Sequence, residues 1–333
     1  MLTTNQNRKI ESLLRRRQEI NYLLLPHVAR LFDPDQLTEE VWRCIKPGRK
    51  IRSLLFLESF RGLSPNPDSN TATVVMTAIE LFHAASILVD DLLDGDDTRH
   101  GAVSTQKLWD TSKSVLLPHL MTATAIRSIA SKPALQGRLV DTYREMALGE
   151  LYDVFIPHGD WISGGYDVRT YRKTAALFSF VFYSAHELAE SARAGNEFER
   201  VGRDLGILFQ ISNDYFDWQP QNVMRRHQQR RPWLITFSFP LATYLSHHDQ
   251  TRIEEYLTKG NLSFDEWLSF LTVVWSDEVK DKCRAEITKR QEDLLKAIHR
   301  LVVPVGLKQL YVDLVDLLGH EEFWYHEYDV EKP

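Results

Sequence analysis

Three carboxylates stand together in the stretch VDDLLDGDD: Asp90, Asp91 and Asp94. A spacing of four puts Asp90 and Asp94 on one face of a helix, one turn apart. Like charges at that spacing repel, and a helix C-terminus is itself partly negative, so the cluster calls for a compensating cation. Mg2+ suits it, being a hard ion that takes carboxylate oxygens, keeps several waters and bridges to phosphates. A second cluster lies in DLGILFQISNDYFDW, where Asn213 and Asp217 share a helical face and Asp214 stands beside them. Two such faces opposed across a helical bundle make a polynuclear metal site. A solvated acidic helix end is the plainer account of each cluster, but the helix leading into the first is apolar nearly all round.

The cations have matching chemistry. Lys46, Arg49, Lys50 and Arg52 in KPGRKIRS, Arg99 after the first acidic cluster, and Arg172 with Lys173 in YRKTAALF are candidate diphosphate clamps. Arginine offers forked donors and lysine a point charge, both suited to phosphate oxygens. Other chemistries lose their supports. A carboxylate-bridged di-iron bundle needs two Glu-x-x-His pairs, and only Glu80 with His83 is present. The chain has no P-loop motif, no GxGxxG and no HExxH.

Long helices are expected to position these groups. The 333 residues include only 15 Gly and 13 Pro, with 43% hydrophobic and 26% charged residues. That composition supports a sizeable core and few turns, and predicts one all-α domain over 1–333. Apolar residues three and four apart (Ile10, Leu13, Leu14, then Ile20, Leu23, Leu24) predict an amphipathic helix over 8–33. GLSPNPDSN at 62–70 reads as a loop. Residues 71–94, free of Gly and Pro, read as a buried helix too polar to span a membrane. Further breaks are expected at 95–101, 156–165 and around 217–221. Trp267, Trp275 and Trp324 near the C-terminus read first as packing residues.

Net charge is −6, with no basic stripe bearing interleaved aromatics, so nucleic acid is not an expected partner. Two cysteines, Cys44 and Cys283, are too few for a disulfide framework, and with no apolar signal segment a cytoplasmic setting is expected. No run of about 18 apolar residues occurs, so no membrane span is expected.

In this order the elements resemble the trans-isoprenyl diphosphate synthase (polyprenyl synthetase) family. DDLLDGDDTRHG at 90–101 is similar to its first aspartate-rich motif and following Arg-Arg-Gly, with His100 in place of the second Arg. PGRKIRS resembles its Gly-Lys-Arg-x-Arg element, Lys173 and Thr174 its Lys-Thr, FQISNDYFD its FQxxDDxxD, and GELYD at 149–153 its Gly-Gln-x-x-Asp. The resemblance implies the class I terpenoid synthase fold, a helical bundle around a deep apolar pocket, and a homodimer.

It also implies roles for the residues. Asp90, Asp94 and Asp217 would hold Mg2+, with Asp91, Asn213 and Asp214 at the same faces. Arg99, Lys173 and Thr174 would steady the diphosphate of an allylic prenyl substrate, with Gln210 alongside, and Asp90, Asp94, Lys173 and Asp217 would carry catalysis. Ionisation of the C–O bond would give an allylic cation, attacked by isopentenyl diphosphate held by Arg49, Arg52, His83 and His100. The expected activity is that of a prenyltransferase resembling geranylgeranyl diphosphate synthases. Small Ala85 and Ser86 below the aspartates leave Phe82 as the expected pocket floor.

Three departures from the family pattern matter, and two of them bear on the homoallylic substrate or the second metal-binding face. His100 replaces a clamp arginine, Asn213 replaces an aspartate, and the family's downstream Gly-Lys-x-Thr-x-Pro element is absent, with Arg225, Arg226, Arg230 and Arg231 in its place. A terpene cyclase of the same fold, closing a ring on farnesyl or geranylgeranyl diphosphate without isopentenyl diphosphate, is the alternative, and Trp faces could stabilise its cation. A non-catalytic partner subunit is disfavoured, having no need of Asp90, Asp91 and Asp94.

Overall fold

The computed structural model describes residues 3–33, 37–94, 98–99, 102–103, 105–109, 111–155, 165–189, 195–219, 222, 237–259 and 262–325. Helix α1 (Thr4–Phe32) begins four residues before the expected span, because Thr3 and Gln6 form a reciprocal capping box. Its buried stripe, Ile10, Ile20, Leu24, Val28 and Phe32, follows the helical period seen in the sequence. Helices α2 (Thr38–Ile45) and α3 (Ile51–Leu63) follow, and then α4 (Ser69–Asp94). The expected 62–70 loop shrinks to the residues between Leu63 and Ser69, and Asp68 Oδ2 accepts from Thr71 N at 2.8 Å to start α4.

After α4 the chain forms a short antiparallel ladder of β1 (Thr98–Arg99) and β2 (Ala102–Val103), with Thr98 opposite Val103 and Arg99 opposite Ala102. The remaining described elements are helical. They comprise α5 (Thr105–Leu108), α6 (Thr111–Ser128), α7 (Pro133–Phe155), α8 (Tyr166–Thr170), a π-helical turn Tyr171–Ala175, α9 (Ala176–Leu188) and α10 (Gly195–Asp217). C-terminal helices Phe239–Leu245, Phe264–Val274, Asp277–Arg300, Val305–Leu318 and Glu321–Tyr325 pack beyond α10. The all-α expectation holds, and the break expected near 217 coincides with the end of α10.

Helix α4 packs on α6, while α9 lies against α3, α7 and α10. A contiguous apolar core runs from Ile10 to Trp324. Contrary to the sequence expectation, Ser69–Leu93 is long and apolar enough to cross a membrane by length and composition. Its Val, Ile, Leu, Met, Phe and Ala residues keep the mean hydropathy high, and 67% of the apolar window is buried inside the bundle as a core helix.

Trp275 and Trp324 are buried and Trp267 packs on the core, in keeping with packing roles. Trp275 meets Tyr215 and Trp218 edge-on, at centroid distances of 5.4 Å and 5.8 Å.

Candidate active site

The last turn of α4 delivers the first acidic cluster. Asp91 is buried, whereas Asp90 Oδ1 lies 3.0 Å from Lys173 Nζ. The same ammonium lies 3.1 Å from Glu150 Oε2 on α7. Lys173 therefore ties α4, α7 and the π-turn together, and brings the first aspartate cluster against the Lys-Thr element. Glu150, the second residue of GELYD, was not among the expected site residues, because a glutamate beside a lysine 23 positions away leaves no mark in local spacing.

The π-turn is gripped from two sides. A Cβ added to Gly149 on α7 would lie 2.8 Å from Lys173 N, and one added to Gly206 on α10 would lie 2.7 Å from Ala175 Cα. Only glycine allows those approaches without displacing the backbone that carries Lys173 and Thr174. Arg172 points elsewhere: its Nε lies 3.2 Å from Glu145 Oε2 and its guanidinium stacks over Tyr152.

On α10, Asn213 Nδ2 donates to Asp217 Oδ2 at 2.9 Å, so the two share a face as their spacing requires. Asp214 is different. Its Oδ2 accepts from Tyr166 OH (2.6 Å) and Phe239 N (2.8 Å), and its Oδ1 accepts from Gln210 Nε2 (2.7 Å). Burial drives its carboxyl up to about 6, against the downward pull of those donors, and burial also raises the Tyr166 phenol. Both Asp214 oxygens are engaged by protein groups. Gln210 Oε1 in turn accepts from Thr174 Oγ1 at 2.6 Å.

The second cation group lies at the start of α3. Arg52 Nη1 lies 2.8 Å from His83 Nε2, with its guanidinium 4.7 Å from the Phe178 ring centre. Desolvation pushes Arg52 down to about 10, still charged at neutral pH. Arg49 donates from Nη2 to Trp324 O at 2.6 Å and lies over the Phe323 ring at 4.5 Å. Arg17 of α1 joins Arg49, Leu13, Leu14 and Ile51 around a shallow recess, a neighbour that no motif spacing reveals.

Lys50 is not a clamp. It sits in the left-handed region (φ 57°) before α3, buried, with Nζ 3.1 Å from Glu80 Oε2, and Ser53 Oγ donates to Glu80 Oε1 at 2.6 Å. Burial in an apolar helix pair explains the change of role, since an ammonium taken from water needs a counter-charge. Glu80 is thereby accounted for without a di-iron site.

Below Asp90, Phe82 and Ala85 are buried, and Ser86 Oγ donates back to His83 O at 2.8 Å. Phe82 meets Tyr143 of α7 edge-on at 5.6 Å between ring centres. The side chains of Asp94 and Arg99, and all of His100, Arg225, Arg226, Arg230 and Arg231, lie outside the described residues. Among the described residues no three His, Cys, Asp or Glu side chains converge as a metal cage.

The comparisons with known proteins follow the same lines. A profile of the family "Polyprenyl synthetase" matches residues 34–263, more than half of the chain. The short chain isoprenyl diphosphate synthase of Methanothermobacter thermautotrophicus is 30% identical over 179 residues, covering 51% of this chain and 54% of that protein. The geranylgeranyl diphosphate synthase of Mycobacterium tuberculosis is 29% identical over 155 residues, covering 44% of each. The chain spans about half the length of the curated relatives it matches. Among solved structures, a decaprenyl diphosphate synthase from Rhodobacter capsulatus is similar over 94% of this chain and 98% of its own, with a TM-score of 0.76 at 19% identity. A geranylgeranyl pyrophosphate synthase from Lactobacillus brevis has a TM-score of 0.76 at 19% identity, over 91% of this chain and 96% of its own. Those two likenesses bear on the fold, which they share with this bundle over nearly its whole length. The profile match and the order of the acidic and cationic elements agree, and the chain belongs to the polyprenyl synthetase family.

Proposed function

We propose that this protein is a prenyltransferase, one domain over 1–333, that joins an allylic prenyl diphosphate to isopentenyl diphosphate with a geranylgeranyl-length product. The observation that carries the reading is the 3.0 Å approach of Lys173 Nζ to Asp90 Oδ1, which joins a phosphate-binding cation to the first aspartate cluster. Relatives named as short chain and geranylgeranyl synthases support it.

The donor set fits Mg2+. Asp90, Asp94, Asp217 and the amide oxygen of Asn213 are hard oxygen ligands at the ends of two helices, and Lys173 already supplies a cation beside Asp90. Asp90, Asp94 and Asp217, with Asp91 near the first cluster, would hold the ion, and when bound it supplies charge neutralisation for the departing diphosphate. Lys173 holds the allylic diphosphate by charge. Arg52 and Arg49 offer forked donors to the second diphosphate. His83 fixes one Arg52 nitrogen at 2.8 Å, which orients the fork. Packed Phe and Leu side chains around α4 and α9 exclude water from the reacting carbons.

Incubating the purified protein with Mg2+ and farnesyl diphosphate, with and without isopentenyl diphosphate, tests this reading. Elongated diphosphate is expected only when both substrates are present. Hydrocarbon formed without isopentenyl diphosphate would reject it in favour of the cyclase, the reading to which Asn213 points.

A homodimer is proposed as well. Leu116 is 65% exposed on α6, and Leu120, Val140 and Tyr143 are exposed on α6 and α7, an apolar surface suited to a second copy. Sedimentation equilibrium is expected to give twice the mass of the 38.7 kDa chain. The proposed cytoplasmic setting is supported by two free thiols, Cys44 and Cys283, with Cys44 pushed up by burial to about 12.

A further inference from the structure

The hydrogen bonds around Asp214 have a fixed direction. An ionised carboxylate only accepts, so Gln210 must turn its Nε2 toward Asp214, at 2.7 Å. Its Oε1 therefore faces Thr174, whose single hydroxyl proton is donated inward at 2.6 Å. A hydroxyl has one proton to give. Thr174 thus presents only lone pairs to the site, and has no proton left for a phosphate oxygen.

We propose that Asp214 is a positioning residue whose negative charge, relayed through Gln210, sets Thr174 as a hydrogen-bond acceptor and removes it from the set of diphosphate donors. Tyr166 and the Phe239 amide hold Asp214 in that role through its other oxygen, at 2.6 Å and 2.8 Å. The inference rests on the reading that the Lys173 and Thr174 face meets a diphosphate.

Asp214→Asn separates the alternatives because of how the donors divide. Tyr166 OH and Phe239 N both reach Oδ2, while Gln210 alone reaches Oδ1. An asparagine with its oxygen in the Oδ2 position keeps the first two bonds and offers an NH2 to Gln210. Gln210 then reverses, its Nε2 meets the Thr174 oxygen, and the Thr174 proton becomes available to the site.

The test measures calorimetric affinity for inorganic diphosphate in the presence of Mg2+, together with the side-chain amide signals of 15N-glutamine-labelled protein. The Gln210 signal is identified by its loss in Gln210→Leu. Thr174→Val is expected to bind diphosphate within about twofold of the parent, since no donor is lost. Asp214→Asn is expected to bind at least as tightly, by up to about tenfold for one added hydrogen bond to a charged group, with the Gln210 amide protons moved upfield from their carboxylate-bonded position. A tenfold loss in Thr174→Val overturns the proposal, as does weakened diphosphate binding or an unmoved Gln210 signal in an Asp214→Asn protein of unchanged melting temperature. Lys173→Met tests the underlying reading by itself: unchanged diphosphate affinity there rejects the site, whereas a loss there with no change at Gln210 rejects only the relay.

Discussion

Lys173 Nζ lies 3.0 Å from Asp90 Oδ1 and 3.1 Å from Glu150 Oε2, so one ammonium neutralises carboxylates from two helices at the mouth of the site. A point charge placed there before substrate arrives needs little reorganisation when a diphosphate enters. Lys173→Met is expected to lower kcat about 100-fold, the usual scale for losing one preorganised charge. Asp90→Ala is expected to leave no measurable turnover. Steady-state assays with both substrates check the pair, and full activity in Asp90→Ala would reject the Mg2+ assignment.

Arg52 and His83 form the complementary contact on α3 and α4. The 2.8 Å approach of His83 Nε2 to Arg52 Nη1 makes that nitrogen an acceptor and leaves the guanidinium's other donors for a ligand. Arg52→Lys keeps the charge but loses the fork and its stacking on Phe178. The KM for isopentenyl diphosphate is expected to rise about tenfold, the scale of one charge-assisted hydrogen bond, while the KM for the allylic substrate stays within about twofold. Equal changes in both would place Arg52 outside the second diphosphate site.

The helical elements were legible because they rest on local spacing, whereas the contact of Lys173 with Asp90 joins residues far apart in sequence and was not expected. Asp90 and Asp94 need only the helical period, and Asn213 and Asp217 repeat it. Lys50 was misread because charge alone does not show burial, and its partner Glu80 is 30 residues away on another helix. Asp214 looked like its neighbour Asp217 in sequence. Its different surroundings come from Tyr166 and Phe239, which reach it from separate helices. Glu150 was missed for the same reason, since it meets Lys173 by tertiary packing.

Gly149 tests the grip on the π-turn. A methyl group there would come within 2.8 Å of Lys173 N and 3.1 Å of Arg172 C, both backbone atoms that cannot turn aside. Gly149→Ala is therefore expected to shift the Lys173 segment and lower kcat about tenfold or more, since small misplacements of a positioned group are costly. Gly137→Ala, in the same helix with open space at its Cβ, is the control and is expected to retain activity.

The buried pair Lys50 and Glu80 is a stability prediction. Lys50→Met leaves the Glu80 carboxylate buried with Ser53 as a donor but without its 3.1 Å cation. Removing one partner of a buried pair costs about 3–5 kcal/mol. Urea unfolding is expected to show that loss in Lys50→Met. In Lys50→Met combined with Glu80→Gln the loss is expected to shrink, because the uncompensated charge is gone. A double variant as unstable as the single one would locate the cost in the carbonyls of Ile45 and Pro47, to which Lys50 Nζ also donates.

Phe82 and Tyr143 bear on product length. Phe82 is buried one turn below the small residues Ala85 and Ser86, and its ring meets Tyr143 edge-on at 5.6 Å. If a growing prenyl chain descends along α4, Phe82 stops it first and Tyr143 of α7 stops it next. Phe82→Ala is expected to lengthen the product by about one five-carbon unit, because a vacated phenyl ring is similar in size to one isoprene unit. It also opens a core cavity, at a cost of about 3–5 kcal/mol. Adding Tyr143→Ala removes the second ring and is expected to lengthen the product again. Tyr143→Ala alone, with Phe82 still in place, is expected to leave the length unchanged. Chromatography of the dephosphorylated prenols separates these cases, and an unchanged distribution in Phe82→Ala would move the floor to another helix.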